Sequence, residues 1–537
     1  MLVAVVLFMA LALYQIDLPG FYYDEALDVV PAMQIMLAGQ PAELLRGIGL
    51  RVSGLTLPVM IMDYVGAVNT YLVLPFFRVY GFTVFAVRFM CVAVAAGTLV
   101  LAYLWLRGLF GPEVASIAAL LLAVNPSFIF WGRMGVSVTS AMSFLAMAAL
   151  LAFARWRAAG RDLWLFLGAV ALGLGLWAKF LFLWYIVALA MAQAILNFRF
   201  RLNRPALLAS QVFGLAIGQW LAVAMGLALG AWPLLWFNLK TGGTVQVLAQ
   251  NIESTAYGVN NRDFFNNLRS ALESFRVFLN GGYFWYHGQA FENALYPAMF
   301  TLSALGAAAL VWARYRHLAR RVAFVLIVLG LIVLESSFTI SGLWATHLYI
   351  VVPLPQAVVA LFAVLTGRWL VGMRPWRTLA RPALAWALPA VFVAPLFLGD
   401  LWVDLRYHQA LRETGGLGGF SDAIYRLAGY LDRNPKLTPW ALDWGISKSV
   451  QVITQGRVNP QELYGFQETP GPDFQRRLSE VLANPNNIYL FHGAGSVVYP
   501  RSEAFLQAVR AAGKQAKAEQ AFFSRSGELI YVAMSAQ

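Results

Sequence analysis

Cysteine is almost absent from this chain, and charged residues are scarce. Cys91 is the only cysteine among 537 residues, so no intrachain disulfide can form. The five histidines do not have the spacing of a metal site. Charged residues make up only 12% of the chain, whereas 60% of it is hydrophobic and the mean hydropathy is +0.65. A soluble globular domain does not need so much apolar surface, and the composition therefore predicts a polytopic helical membrane protein.

Long apolar runs predict eleven membrane-spanning helices, at about twenty residues for each crossing. The predicted spans are 1–16, 83–106, 113–131, 135–154, 163–178, 181–197, 207–236, 293–313, 322–340, 346–366 and 383–399. The triplet Ala10-Leu11-Ala12 is similar to a signal-peptide cleavage site. Because no Lys or Arg precedes the first apolar run, we expect this span to be retained.

The charges between the spans predict the orientation of the chain. The loops after even-numbered spans contain fifteen arginines and only two acids. These arginines are Arg107, Arg155, Arg157, Arg161, Arg199, Arg201, Arg204, Arg314, Arg316, Arg320, Arg321, Arg368, Arg374, Arg377 and Arg381. Basic loops are cytoplasmic, so we expect a plasma-membrane protein with a cytoplasmic N-terminus and an extracytoplasmic C-terminal domain. The net charge of +13 lies in these short clusters and does not indicate nucleic-acid binding.

Composition divides the chain into a transmembrane module, 1–400, and a small domain, 401–537. The module has two long outer loops, 17–82 and 238–292. In the first loop we expect a short interfacial helix at about 28–38, because Pro31 fits the first turn of a helix that starts at Asp28.

Apolar residues recur at helical spacing in the second loop, between Asn261 and Asn280, before Gly281-Gly282. This pattern predicts a helix that lies on the membrane surface and ends at the glycines.

Residues 401–537 show a change from spans to alternating short elements. The pattern predicts helices at 421–432 and 503–512 and strands at 440–444, 487–491 and 528–533. We therefore expect a small α/β domain. It contains no Gly-rich phosphate loop, no metal-spaced His/Cys set and no nucleophile elbow.

An acidic cluster, with Asp24 and Glu25 adjacent, follows the first span. Acids so close to the hydrocarbon boundary are costly unless a water-filled cavity receives them, which makes them candidates for function. A carboxylate can accept the proton of a hydroxyl to which a group is transferred. The second acid can hold the acceptor, or the pair can bind a divalent cation through oxygen ligands. The structural alternative is that Asp24 or Asp28 caps the interfacial helix.

Lys179 and Arg133 are cations at the outer ends of predicted spans, where the positive-inside rule disfavours them. Fixed cations at this depth could bind an anionic headgroup and stabilise a departing phosphate. Alternatively, they reach lipid headgroups or pair with a loop acid. His347, at the outer start of the tenth span, is a further candidate for the same role.

The segment Pro19–Ala26 (PGFYYDEA) resembles the first-loop signature of GT-C glycosyltransferases. Within that superfamily, the chain resembles the branch of protein O-mannosyltransferases and lipid A aminoarabinose transferases. Asn125-Pro126 followed by Arg133 is similar to that branch's second outer loop. Gly281–Pro297 is similar to the segment that closes its long outer loop. The resemblance covers about 1–366.

This resemblance implies a polyprenyl-phosphate-linked sugar donor. It also implies inverting transfer of a hexosyl or pentosyl group to an extracytoplasmic protein, lipid or glycan acceptor. Asp24 would match the catalytic base, and Glu25 would assist the acceptor or the architecture of the site. Arg133 and Lys179 would bind the lipid phosphate. Relatives often have an arginine where His347 precedes a tyrosine, which leaves the phosphate role of His347 open.

No acid stands beside Arg133 in the second outer loop, unlike in metal-dependent oligosaccharyltransferases. The resemblance therefore implies no required cofactor, although a divalent cation at the acid pair stays open. Two other classes share the apolar spans. A transporter or flippase for an amphiphilic lipid should show repeated halves with broken helices, which the sequence lacks. A catalytically silent subunit of the same fold, which binds a partner through its outer domain, would not need the Asp–Glu pair.

Overall fold

Helices dominate the structure, a computed structural model that describes residues 1–37, 42–199, 215–371, 382–467 and 469–537. The α-helices of the membrane module are α1 Leu2–Leu13, α2 Tyr23–Met36, α3 Val68–Tyr80, α4 Val84–Phe110, α5 Pro112–Ala123, α6 Pro126–Met134, α7 Thr139–Ala159, α8 Asp162–Ala178, α9 Leu183–Arg199, α10 Ile217–Thr241, α11 Gly243–Asn251, α12 Phe264–Asn280, α13 Leu295–Ala313, α14 Ala319–Glu335, α15 Leu354–Val371 and α16 Pro382–Thr414. The predicted cytoplasmic residues Arg201, Arg204, Arg374, Arg377 and Arg381 lie outside the described residues.

The predicted helical membrane fold is confirmed, but the count of eleven spans is not. Seven helical segments among the described residues are long and apolar enough to cross a membrane, and they contain α4, α7, α9, α10, α13, α14 and α15. An eighth is obtained if α5 and α6, which are bent by 63° at a short break, form one span. The helices α1 and α8 are apolar but shorter.

The bend between α5 and α6 interrupts the predicted span 113–131. Pro126 stands at the start of α6, where its missing N–H costs no helical hydrogen bond. The side chain of Asn125 accepts a hydrogen bond from the backbone N–H of Phe128 at 3.1 Å and caps the new helix. Asn125 and Pro126 therefore start a second helix at a point where hydropathy alone predicts one continuous helix.

The interfacial helix of the first outer loop begins earlier than predicted. It is α2, Tyr23–Met36, and Pro31 lies inside it. The Glu25 carboxylate accepts the backbone N–H of Tyr22 at 3.1 Å, and this capping contact starts the helix before Asp24. The prediction of a start at Asp28 was therefore wrong. Two antiparallel hairpins follow α2, formed by β1 Gly49–Val52 with β2 Leu55–Pro58 and by β3 Met60–Met62 with β4 Val65–Gly66.

The second outer loop contains the predicted helix as α12. It ends at Asn280, and Gly281 follows with φ 76° in the left-handed conformation that favours glycine. Phe265 and Leu272 on this helix are exposed. A second helix of the loop, α11, was not predicted.

The C-terminal domain packs four helices around a five-stranded sheet. The strands are β5 Thr438–Ala441, β6 Gln461–Glu462, β7 Asn487–His492, β8 Ala516–Phe523 and β9 Leu529–Ala536, in the order β6-β5-β7-β9-β8. The helices are α17 Ala423–Arg433, α18 Ser447–Ile453, α19 Pro472–Val481 and α20 Ser502–Ala511. Strands β6, β5 and β7 are parallel, whereas β9 is antiparallel to both neighbours. The predicted α/β domain is confirmed, but α16 continues past the predicted boundary at 400/401 to Thr414.

Strand β8 was not predicted from the local sequence. Its first residues are Ala, Lys, Ala, Glu and Gln, which favour helix in isolation. Pairing with β9 along its length overrides that local preference.

The C-terminal domain contacts the first outer loop directly. The N–H of Gly20 donates to the carbonyl of Phe420 at 2.7 Å, and the rings of Tyr22 and Phe420 are stacked with centroids 4.0 Å apart. The hydroxyl of Tyr23 donates to Glu462 on β6 at 2.7 Å. The residues that flank Asp24 are therefore positioned by both the helical module and the C-terminal domain.

Candidate active site

Asp24 lies in the first turn of α2 and is partly exposed. The structure records no hydrogen bond to its carboxylate among the described residues. Burial raises the pKa of Asp24 to about 6, although the Lys179 ammonium opposes this shift and Glu25 adds to it. A carboxylate with such a pKa is mostly ionised at neutral pH but accepts a proton more readily than an ordinary aspartate.

Lys179 is held at the point where α8 ends and the chain turns into α9. Its backbone is extended and forms an antiparallel bridge with Val65 of β4, and the N–H of the next residue, Phe180, donates to the carbonyl of Tyr64 at 2.9 Å. The first outer loop therefore fixes the position of Lys179. The side chain is buried, and burial lowers the pKa of the ammonium to about 8 against the effect of Asp24 and Asp28.

Asp28 is a third acid of the cluster after the first span, to which the sequence assigned no catalytic or binding role beyond a possible helix cap. It lies one helical turn after Asp24 on the same face of α2 and is buried. The side-chain amide of Asn69 donates to its carboxylate at 2.9 Å. Burial raises the pKa of Asp28 to about 7; the Asn69 hydrogen bond and Lys179 oppose the shift, and Asp24 adds to it. The i, i+4 spacing of Asp24 and Asp28 was the feature of the sequence that could have predicted that the two acids lie on one face of a helix.

His347 lies near the same cation. It is buried, and its ring centroid is 6.2 Å from that of Trp184. Burial lowers its pKa well below the ordinary value, and the positive charge of Lys179 adds to the shift. His347 is therefore neutral at physiological pH and can donate one hydrogen bond, but it does not contribute a charge.

Glu25 points away from this group and is fully engaged elsewhere. Its two carboxylate oxygens accept hydrogen bonds of 2.8 Å from Arg88 of α4, and both side chains are completely buried. Arg88 also donates to the carbonyls of Ile16, Pro19 and Gly20. These contacts make Glu25 part of the frame that holds the Asp24 segment. Of the two predicted roles, they support architecture and not acceptor binding.

Arg133, like Arg88, has its guanidinium group bonded to backbone carbonyls. Its guanidinium is buried and donates to the carbonyls of Tyr14, Gln15 and Leu18, at 3.1 Å for Tyr14 and 2.9 Å for Leu18. It therefore ties α6 to the segment that follows α1. The structure brings Lys179 near Asp24 and His347 near Lys179, whereas the contacts of Arg133 give no support to its predicted role as a phosphate ligand.

Asp24, Asp28 and Lys179 are the charged groups of this site. No group of three or more His, Cys, Asp or Glu side chains suited to a metal occurs in the part of the chain that the structure describes. Asp24 and Lys179 instead form an acid–cation pair without a direct contact within ion-pair distance among these residues. An acid and a cation that are near each other but not in contact can act separately: the carboxylate can accept a proton, and the ammonium can stabilise an anion.

Comparisons with known proteins agree with the resemblance seen in the sequence. Residues 66–225 match the family model described as dolichyl-phosphate-mannose-protein mannosyltransferase, a segment that contains Lys179 and Arg133 but not Asp24. ArnT from Cupriavidus metallidurans superposes with a TM-score of 0.60, in the apo state at 10% identity and bound to undecaprenyl phosphate at 11% identity. Both comparisons cover 99% of this chain and 97% of ArnT. The chain therefore has the fold of ArnT over nearly its whole length.

The likeness of fold to ArnT extends beyond 1–366, the range of the resemblance in the sequence, because the superposition includes the C-terminal domain. The oligosaccharyltransferase AglB from Archaeoglobus fulgidus, solved with an inhibitory peptide and a dolichol-phosphate, has a TM-score of 0.51 at 13% identity. That match covers 91% of this chain and 68% of AglB. No curated protein sequence matches the chain. The chain therefore resembles the mannosyltransferase and ArnT branch of the superfamily.

Proposed function

We propose that this protein is a membrane glycosyltransferase that moves a sugar from a polyprenyl-phosphate-linked donor to an acceptor outside the cytoplasm. Asp24 is the general base, and Lys179 binds the phosphate of the donor. The transferred group is a hexosyl or pentosyl unit, and its anomeric configuration inverts. The reaction takes place at the outer side of the plasma membrane without an obligatory metal.

One observation carries this proposal: Asp24 and Lys179 interact electrostatically, and among the described residues neither side chain has a recorded hydrogen bond or ion pair. The neighbouring Glu25 shows the contrast, because Arg88 occupies both of its oxygens. The lipid phosphates named for ArnT and AglB agree with a donor of the same kind. The segment match to a mannosyltransferase family agrees with the reaction class.

The proposed step is a single displacement at the anomeric carbon. The acceptor hydroxyl attacks this carbon, and its proton passes to the carboxylate of Asp24 as the new C–O bond forms. The bond between the anomeric carbon and the phosphate oxygen breaks, and polyprenyl phosphate leaves with the electron pair. Lys179 stabilises the charge that develops on the leaving phosphate, and the neutral His347 can donate a hydrogen bond to it.

The test uses the full-length protein reconstituted in liposomes with undecaprenyl-phosphate-linked tritiated mannose, glucose or aminoarabinose, and native outer membranes as the source of acceptor. We expect Asp24→Asn to lower transfer by roughly 10²–10⁴-fold. The variant should fold, because it removes a carboxylate whose charge burial disfavours. Asp17→Asn is the matched control, since this acid of the same loop is exposed and should retain full activity.

Lys179→Met tests the phosphate role separately. We expect a large fall in transfer and a weaker interaction with undecaprenyl phosphate, measured as inhibition by the free lipid. Transfer at the wild-type rate in Asp24→Asn contradicts the assignment of the base. If the protein binds the donor lipids but transfers none of the three sugars to any acceptor, it is not this enzyme. That result supports a lipid transporter or a catalytically silent subunit.

A further inference from the structure

A groove in the C-terminal domain lies between α17 and the edge strand β8. Its cavity volume is about 680 Å³. Arginines and aromatic rings line it, including Arg426, Arg433, Arg525, Tyr425, Tyr430 and Phe523. No acid is among the lining residues. The combination of three guanidinium groups and apolar ring surface favours an anion attached to an apolar body.

The arginines of the groove are only partly neutralised. Arg525 donates to Asp422 at 2.7 Å, and Arg426 lies 3.5 Å from the other oxygen of the same carboxylate. Arg433 is exposed, and the structure records no ion pair for it within the described residues. Asp432 and Glu519 also lie near the groove, but they pair with Arg457 and Lys517. Asp422 and the three arginines therefore leave the groove with a net positive charge.

The groove adjoins the ends of two apolar helices. The guanidinium of Arg525 donates to the carbonyl of Arg412, near the end of α16, at 2.6 Å. The hydroxyl of Tyr425 donates to the carbonyl of Asp17, just after α1, at 2.7 Å. Arg412 also bonds the hydroxyl of Tyr14. Asp17 directly follows the predicted span 1–16, so the Tyr425 contact places this side of the groove near the predicted outer boundary of the membrane.

One face of α16 leads from the apolar region to the groove. Leu398, Trp402 and Leu405 are 60%, 52% and 56% exposed, and their spacing puts them on the same side of the helix. Arg412 continues this face two turns later. Leu398 lies within the predicted span 383–399, and Trp402 and Leu405 follow it within two helical turns, at the interface that tryptophan favours. If the acyl chains of a lipid pack against Leu398, Trp402 and Leu405, its headgroup lies on the side of α16 that leads to Arg412 and Arg525.

We propose that the groove binds the phosphate-bearing headgroup of a lipid in the outer leaflet. The occupant is a phosphorylated lipid and not a free anion, because the cationic groove continues into a lipid-facing helix. This site is distinct from the Asp24 site and does not depend on the proposed transfer reaction. Its position makes the lipid an anchor for the C-terminal domain on the membrane surface.

The test measures binding of dioctanoyl phosphatidic acid to the full-length protein in a neutral detergent by native mass spectrometry. The background variant Lys179→Met removes the proposed donor-phosphate site, so that the two sites are counted separately. In that background we expect Arg426→Gln/Arg433→Gln to weaken binding by roughly 30-fold, from the loss of two cations at a headgroup. Arg510→Gln, an exposed arginine on α20 of the same domain, is the matched control and should not change binding.

The single variant Arg433→Gln keeps the contacts of Asp422 with Arg426 and Arg525, so it should fold normally. A partial loss of lipid affinity in this variant therefore reflects the lost cation and not misfolding. Dioctanoyl phosphatidylcholine should bind more weakly than phosphatidic acid, because its choline offsets the phosphate charge. Equal affinity in the double variant and in the control variant overturns the proposal. Inorganic phosphate that displaces the lipid at equal concentration also overturns it, since the site would then recognise a free anion.

Discussion

Adjacent carboxylates in this chain have opposite environments. Glu25 is completely buried and bonded through both oxygens to Arg88, so its charge is satisfied by a fixed partner. Asp24 lacks such a partner in the described residues, and burial raises its pKa to about 6. The difference arises because successive helical residues point about 100° apart. Only one of two neighbours can therefore face α4.

The pKa values of Asp24 and Lys179 predict a bell-shaped pH dependence of transfer. The rate should rise as the pH increases through about 6, where Asp24 loses its proton and becomes a base. It should fall above about 8, where Lys179 loses the charge that binds phosphate. The measurement is kcat/KM for the donor in liposomes across this range.

Lys179→Arg provides the control for this profile. Arginine stays protonated at all accessible pH values, so the fall above pH 8 should disappear, while the rise near pH 6 remains. A fall that persists in this variant would assign the alkaline limb to another group.

Residue types and positions predicted part of the site. Asp24 and Lys179 were selected independently, as an acid and a cation at the outer ends of spans, and the structure places them within electrostatic range. Arg133 satisfied the same criterion but bonds to backbone carbonyls. Sequence position reports the depth of a side chain in the membrane, whereas its direction depends on the packing of helices that are far apart in the chain.

At the scale of elements, the buried pair of Glu25 and Arg88 joins α2 to α4. Removal of one partner leaves a buried charge without compensation, which costs about 3–5 kcal/mol. We therefore expect Glu25→Gln to lower the thermal unfolding temperature of the purified protein markedly. Loss of activity in this variant should follow loss of folded protein and not a change in the pH profile.

Glu273→Gln is the matched control for Glu25→Gln. Glu273 pairs with Arg276 on the exposed surface of α12, and such pairs contribute about 0–1 kcal/mol. Equal unfolding temperatures for the two variants would show that burial of the Glu25 pair has no energetic consequence.

Gly20 lies in a tight contact between the first outer loop and the C-terminal domain. A Cβ at this position would lie 2.1 Å from the carbonyl oxygen of Ser421, and backbone cannot move aside as a side chain can. We expect Gly20→Ala to separate the two parts, which increases proteolysis at the 415–421 connection and lowers transfer. Gly330→Ala is the control, because no atom lies within 4 Å of the position that its new methyl group would take.

At the scale of the whole molecule, the arginine distribution predicts which side of the membrane each part occupies. Cys91 is buried, so the wild-type protein should give little background with a membrane-impermeant maleimide. We expect Lys436→Cys, an exposed position of the C-terminal domain, to react from the outside of intact cells. Arg314→Cys, an exposed position after α13, should react only after permeabilisation.

The reverse labelling pattern would place the C-terminal domain and the Asp24 site in the cytoplasm. Such a result would contradict the predicted topology. The two parts must lie on the same side of the membrane, because Tyr23 contacts Glu462 and Gly20 contacts Phe420.

The sequence by itself determined the properties that depend on neighbouring residues. Hydropathy over about twenty residues identified the helical membrane class, Gly281 marked the end of α12, and charge next to a span marked Asp24 as unusual. The tertiary structure decided which charges meet. It assigned Arg88 to Glu25, brought Lys179 to Asp24 through the bridge with Val65, and added Asp28 to the site. Helix packing sets these contacts, because burial and the direction of a side chain depend on partners that are distant in the sequence.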